Sequence, residues 1–483
     1  MGKKLSDAAR SFLSCYYPLL SIACLCLLLV ISACHSKPSG ARILFTGDVL
    51  LARNVQAEIE QKKISPWIYM EKLFHSADLV IGNFEGAVGG EIVDTMPPSS
   101  SPVFNVPEAY IKLLSAAGFN ALSVENNHSF DMGDRGKANT IEALQKNGLT
   151  PLGYNNSPWF FKVNGVTVSV VAVNLVPGRN GQRQEIPSVE IRQKLRLARS
   201  LSGMVVVYIH WGSELLQWPN QYQRDAAAFL VSNGADLIIG CHPHVIQEPE
   251  MVMGKPVFFS IGNHLFDQKY ADTKAGLIVD CNICDGYFEC SGIITHTAPN
   301  SFYPRVTGAK QYKFGKTKLQ GAMKISGIAI EPLSLNTPGK MILKAVKNNK
   351  LLWQTYPMSI ISLQHGKLDG KNDFLFALEK HYSNMDDEMG IRPYVYSIEQ
   401  NGLVSRWRGS ALAWPLIDAA LLPGDTQILC GLHRGDSFIQ LNRNSNQARV
   451  LAYKWNGFGF TGISDSATCQ RCKELFNKQG RQN

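Results

Sequence analysis

The sequence predicts an α/β domain followed by a smaller β-rich module. From Ala41 to Asp280, short apolar runs alternate with stretches of helical periodicity, the pattern of strands and helices in turn. Five of those apolar runs end on a residue able to bind a metal or move a proton. Beyond about residue 350 the helical pattern stops, and aromatic and β-branched runs alternate with turn residues.

The first predicted strand is Ile43 to Thr46, ending at Gly47-Asp48. The segment carrying Trp67, Tyr69, Leu73 and Phe74 is read as helical, and Asp78 to Ile81 as a strand ending at Gly82-Asn83-Phe84-Glu85. Residues 92–107 are rich in Pro and Ser and predict a loop. Tyr110, Leu113, Leu114 and Ala117 fall on one helical face, closed by Gly118. A strand over Ala121 to Val124 leads into Asn126-Asn127-His128, and a helix spans about Thr140 to Gly148. Strands are predicted over Thr167 to Val173 and Met204 to Ile209, the latter running into His210. A helix carries Tyr222, Ala226, Phe229 and Leu230 and stops at Gly234. Leu237 to Ile239 is a buried strand that delivers His242-Pro243-His244, and Pro256 to Ser260 and Gly276 to Asp280 are the last strands.

Residues two apart in an extended segment share a side, so His242 and His244 are expected to face one point beyond the sheet. Neutral imidazole is a common metal ligand. Asp48, Glu85, Asn127 with His128, His210, and His242 with His244 all follow strands, at the end where α/β sheets bind ligands. A turn, a cap or a core histidine explains any one of them; their recurrence at one end of five strands points to a site.

The chain has 483 residues, 45% of them hydrophobic and 18% charged, enough for two or three globular domains. The formal net charge is +9, of which the first 33 residues contribute +2. That mild excess suits anionic polymers or phosphates, and without clustering it argues against nucleic acid. Lys3, Lys4 and Arg10 precede the apolar stretch Leu19 to Ala33 and then Cys34. This pattern resembles a bacterial lipoprotein signal over residues 1–33, with Cys34 lipidated, residues 34–41 a tether, and the protein held outside the cytoplasm on the cell envelope. Outside the cytoplasm cysteines tend to pair. Cys241 reads as a buried thiol, and Cys281, Cys284, Cys290, Cys430, Cys469 and Cys472 as disulfide formers whose connectivity stays open.

Six ordered motifs now carry a resemblance. Gly47-Asp-Val-Leu-Leu-Ala-Arg53, Gly82-Asn-Phe-Glu85, Asn126-Asn-His-Ser-Phe-Asp-Met-Gly133, His210-Trp-Gly-Ser-Glu214, Gly240-Cys-His-Pro-His-Val-Ile-Gln247 and Ser260-Ile-Gly-Asn-His-Leu-Phe-Asp267 resemble the capsule-biosynthesis CapA family. This family, also called the poly-γ-glutamate synthesis accessory family, is related to calcineurin-like metallophosphoesterases. The resemblance covers roughly residues 42–285 and implies a metallophosphatase-like four-layer sandwich, two mixed β-sheets flanked by helices, over residues 42–298.

By resemblance and residue type, Glu85, Asn127, His210 and His242 hold one divalent metal, Mn, Fe or Zn. Asp48 and His244 help hold a second, with Glu85 or Asn83 bridging. His128 is the candidate general acid, Asp131 its orienting partner, and Arg53 and Glu214 the substrate-binding candidates. Two metals would suit hydrolysis of a phosphoester or a related bond. The wider superfamily opens with Asp-x-His, whereas Asp48-Val49-Leu50 has no histidine. His264 imitates a Gly-Asn-His motif but stands where the family has Phe, so it is not assigned as a ligand. The alternative reading is a non-catalytic scaffold or tether of an anionic-polymer synthesis and export complex, partnered by polyglutamate synthase components.

Residues 299–350, with Lys310, Lys313, Lys316, Lys318 and Lys324, read as a basic extension and linker. Residues 351–483 form the β-rich module, with strands at Tyr394 to Ile398, Ser437 to Leu441 and Arg449 to Tyr453. Leu368 to Phe374 weakly resembles a calcium loop of propeller repeats, with Asp369 and Asp373 as its ligands, and an Asx turn is the favoured account. About 130 residues are too few for a closed four-bladed propeller.

Overall fold

The alternation of β-branched runs with amphipathic stretches produces a mixed α/β molecule with several sheets and few helices. The computed structural model describes residues 40–89, 102–178, 181–297, 300–383, 388–408, 412, 416–435 and 448–477. The leader, Cys34 and the strand expected at Ser437 to Leu441 lie outside the described residues. Among the described residues, no helix is long and apolar enough to cross a membrane.

The first sheet is built on β1 (Ala41–Val49). β2 (Leu79–Phe84), β3 (Ala121–Ser123) and β4 (Thr150–Leu152) follow it in parallel. On the other side of β1 lie three antiparallel strands, β11 (Ala275–Cys284), β12 (Tyr287–Thr297) and β13 (Pro304–Lys310). The second sheet contains β5 (Trp159–Val163), β6 (Val166–Asn174), β7 (Met204–His210), β8 (Leu237–Cys241) and β9 (Lys255–Phe258), with β6 to β9 parallel. A short strand, β10 (Asn263–Leu265), returns to pair with the end of β1.

Three apolar clusters organise this part. Ile43, Phe45 and Ile81 of the first sheet share one cluster with Val170, Val206 and Ile239 of the second, so the sheets pack face to face. The outer face of the first sheet is covered by α1 (Arg53–Lys62) and α2 (Ile111–Ala117), with α3 (Gly133–Lys146). The outer face of the second is covered by α4 (Val189–Leu201) and α5 (Gln221–Ser232). Each fully buried aliphatic or aromatic side chain contributes about 1.5–3 kcal/mol. α5 starts on a capping box in which Asn220 and Gln223 satisfy each other's backbone donors.

Sequence periodicity overlooks α1 and α4. The helical signal at Trp67 to Phe74 condenses to a short turn of helix at Glu71–Phe74, and α1 precedes it. α4 reads as polar because Arg192, Gln193 and Lys194 interrupt its apolar residues, yet all three are buried. Its Ile191, Leu195 and Ala198 pack on the second sheet while Leu197 and Leu201 pack on the C-terminal sheets.

Residues 299–350, expected as a linker, instead carry strands. β13 completes the first sheet, and a four-stranded antiparallel meander begins at β14 (Lys324–Ile325) and continues through β15 (Ile328–Ser334), β16 (Met341–Lys347) and β17 (Lys350–Gln354). A second meander comprises β18 (Ile360–Gly366), β19 (Phe374–Ser383), β20 (Glu388–Glu399) and β21 (Gly402–Arg408). The third comprises β22 (Leu416–Leu422), β23 (Asp425–Arg434), β24 (Ala448–Trp455) and β25 (Phe460–Ile463), and α6 (Ser466–Asn477) packs against it. At Asp369, Oδ1 accepts from the backbone of Lys371 (2.8 Å) and Asn372 (2.7 Å), the Asx turn.

Two disulfides close the described chain, Cys281–Cys290 across the β11–β12 hairpin and Cys430–Cys472 tying α6 to β23. Each Cys-x-x-Cys pair therefore supplies one of its two cysteines. Cys241 is a buried thiol.

Candidate metal centre

Parallel strands present all their carboxyl ends at one edge, so β1, β2, β3, β7 and β8 bring their last side chains together. Asp48 sits where the β1 register shifts against both β2 and β10. The shift depends on Gly47, where a Cβ would lie 1.8 Å from the Gly262 carbonyl oxygen. At β8, a Cβ on Gly240 would meet the Phe259 carbonyl oxygen at 2.1 Å, so only glycine allows the chain to enter the His242 turn there.

The His-Pro-His segment is not extended. His242 and His244 take φ of 95° and 58°, a left-handed backbone that costs energy for a side-chain residue. The expected alternation therefore does not bring them together; a tight turn does, with ring centroids 5.9 Å apart.

Asp48 is fully buried. Its Oδ1 accepts from Asn83 Nδ2 at 2.8 Å, and its Oδ2 accepts from the His242 backbone N–H at 3.2 Å and lies 3.2 Å from His244 Nδ1. His210 Nε2 meets Asn127 Oδ1 at 2.9 Å, and its Nδ1 lies 4.0 Å from Asp48. Glu85 is buried, with Oε1 3.7 Å from both His128 Nε2 and His244 Nε2. His128 Nδ1 is 2.7 Å from Asp131 Oδ2. A carboxylate only accepts, so Nδ1 carries the proton and Nε2 faces the centre. Phe104 stacks on the His128 ring at 3.8 Å and gives its N–H to the same Asp131 oxygen.

Two sets of side chains could each hold an ion. Asp48, Glu85 and His210 form one, and Glu214, His242 and His244 the other, the ligand atoms of each set within 4.8 Å of one another. This grouping differs from the one drawn from sequence: His242 and His244 sit together, and exposed Glu214 joins them. Arg53 Nε lies 3.2 Å from Asp267 Oδ2, and its guanidinium lies 5.3 Å from the centroid of Phe104, on which His128 stacks.

The electrostatics favour a cation. Burial would raise the Asp48 carboxyl, but the hydrogen bond and charge of His244, with His210 and Asn83, hold it well below the usual carboxylate range. Burial and then the Asp48 charge push Glu85 well above its ordinary value. His244 is raised to about 9, because Glu85 and Asp48 outweigh its burial. Burial lowers His210 to about 3 and pushes His242 well down. Both Glu85 carboxylate oxygens and His242 Nδ1 are buried without a hydrogen bond. Orphaned buried acceptors are costly, and a divalent cation fits this donor set.

Three polar residues that support the centre escape a ligand-by-ligand reading of the sequence. Asn126 donates to Asn83 Oδ1 (3.1 Å) and to the Phe84 carbonyl (2.8 Å), and accepts from the His128 N–H (3.1 Å). Asn263 holds His244 Nδ1 at 2.9 Å, and Asp267 holds Arg53 and Asn54. Each lies inside one of the six motifs, and that placement is the available signal. His264, beside Asn263, packs between the rings of Phe74 and Phe119.

Residues 42–268 match the family described as "Bacterial capsule synthesis protein PGA_cap". The PGA biosynthesis protein CapA of Bacillus subtilis (strain 168) is 32% identical over 272 residues, covering 53% of this chain and 71% of that protein. The capsule biosynthesis protein CapA of Bacillus anthracis is 27% identical over 271 residues, covering 52% of this chain and 66% of that protein. The matched span contains every strand-end residue described above, and the chain belongs to the CapA family of bacterial capsule synthesis proteins.

Proposed function

We propose that this protein takes part in capsule or poly-γ-glutamate biosynthesis as a metal-dependent hydrolase of a phosphoester or related bond. The proposal includes a metallophosphatase-like four-layer sandwich over residues 42–298, supported by the three apolar clusters. It also includes a lipid anchor at Cys34 on the outer face of the membrane; Cys34→Ser should leave the membrane fraction, and unchanged partition would remove the anchor.

Asp48, Glu85, His210, His242, His244 and Glu214 would hold one or two ions, with Asn127 beside His210. When bound, Mn, Fe or Zn supplies Lewis-acid polarisation and lowers the pKa of water. The chain's own residues do the rest. Asp131 holds the Nδ1 proton of His128, so the ring, when protonated at both nitrogens, would give its Nε2 proton to the leaving oxygen and return to the Nδ1–H tautomer. Arg53, steadied by Asp267 and Phe104, meets the substrate's anionic group.

The adjacency of the His128–Asp131 pair to the orphaned Glu85 carboxylate carries this reading. His128→Ala should keep its metal and lose about 10²–10⁴-fold in turnover, whereas Asn127→Ala should weaken metal binding. The assay uses a phosphodiester, a phosphomonoester and a γ-glutamyl amide. Parent-like hydrolysis by His128→Ala overturns the assignment, and no hydrolysis by the metal-loaded parent favours the scaffold.

A further inference from the structure

A second charged site lies away from the metal centre. α4 packs against β15, β18 and β22, one strand from each meander. Its Arg192, Arg196 and Arg199 fall at i, i+4 and i+7 on one face. With Lys324 of β14 and His365 of β18 they line a cleft of about 830 Å³. No Asp or Glu is among its described lining residues.

The cleft retains free donors. Arg196 spends two hydrogen bonds on Asp418 and one on the Ala419 carbonyl; Arg199 spends one on Asp236 and one on the Ser202 carbonyl. A guanidinium has five N–H donors, so both keep some unused. Their side chains remain 15% and 18% exposed. Lys324 and His365 are exposed and in no ion pair among the described residues. Gln364 lines the same cleft, and its Nε2 has no hydrogen-bond partner.

Spacing and position define the ligand. From Arg192 to Arg199 the helix rises about 10 Å, so one small anion cannot reach every cation, whereas a chain of repeating oxyanions can. The guanidinium fork matches carboxylates, and Arg196 already receives one this way from Asp418. Asp236, the partner of Arg199, immediately precedes β8, whose far end delivers His242 about 16 Å on. We infer that this cleft binds a segment of a polycarboxylate chain and holds it apart from the metal centre. The site stands independently of hydrolysis; only the choice of probe draws on the proposed role in polymer biosynthesis.

Fluorescence anisotropy of a labelled γ-glutamate oligomer of about ten residues, titrated with the full-length protein, tests this. Lys324→Glu combined with His365→Glu changes two exposed residues, and should weaken binding about tenfold or more while leaving phosphoester turnover unchanged. Chelation and His242→Ala should leave oligomer binding intact. Parent-like affinity in the double variant overturns the inference, as does binding of polyphosphate or anionic vesicles in place of the oligomer. Loss of oligomer binding on chelation also overturns it, by placing the polymer at the metal centre, and leaves the hydrolase reading standing.

Discussion

The two halves of the molecule use strands in opposite ways. In the half spanning β1 to β13, parallel strands run their carboxyl ends to one edge, and Asp48, Glu85, His210 and His242 gather there although up to 194 residues separate them. In the meanders, antiparallel strands reverse at every turn, so successive ends alternate and polar groups spread over a surface. The first arrangement concentrates ligands at a point; the second lays out a charged wall, which α4 completes with its arginines. The halves differ in strain as well. Left-handed histidines and orphaned carboxylate oxygens mark the candidate centre, whereas Asp369 in the meanders is satisfied by its own turn.

If the halves are separable in this way, damage to the meanders should spare the centre. Replacing Cys430 and Cys472 by Ala opens a 42-residue loop and should destabilise the C-terminal part by about 4 kcal/mol. Denaturant unfolding followed together with metal content checks this, and loss of metal in step with the meanders would show that the two halves unfold as one.

Buried amides build the candidate centre, and their removal should be felt there next. Asn126→Ala and Asn263→Ala should each lower metal affinity about 10–100-fold, because they orient His128 with Asn83 and His244 respectively. Competitive chelator titration reads this out, and unchanged affinity in both would reduce these residues to packing.

A further effect is a pH dependence peculiar to the first half. His244 is raised to about 9, so its charged form stabilises the metal-free fold. That stabilisation is fully present below pH 6.5 and is lost as pH rises through about 9. A metal takes the uncharged imidazole, so affinity should climb about tenfold per pH unit from 6.5 to 9 and then level off. Metal titrations at pH 6.5, 7.5 and 9 check the slope, and a flat profile would remove His244 as a ligand. Oligomer binding at Lys324 and the α4 arginines should hardly change over the same range.

Much of the first half was legible because buried parallel strands leave continuous apolar runs, and because the residues after them are chemically unusual. Asp48, Glu85, Asn127, His210, His242 and His244 could each be named on that basis, although the pairing of His242 with Glu214 could not, since it depends on a turn with positive φ. α4 was illegible for a physical reason: its Arg192, Gln193 and Lys194 look solvent-facing and are instead buried between two halves that meet only in three dimensions. The meander beginning at Lys324 was hidden likewise, its short strands carrying lysines on one face and core residues such as Ile325 and Ile330 on the other.

The strand ends of the first half are expected to hold a transition metal. Elemental analysis of the purified full-length protein beside His242→Ala tests it most directly. At least one equivalent of Mn, Fe or Zn is expected in the parent, with most of it lost in the variant; a parent free of transition metal after growth in metal-replete medium would leave these strand ends without a metal role.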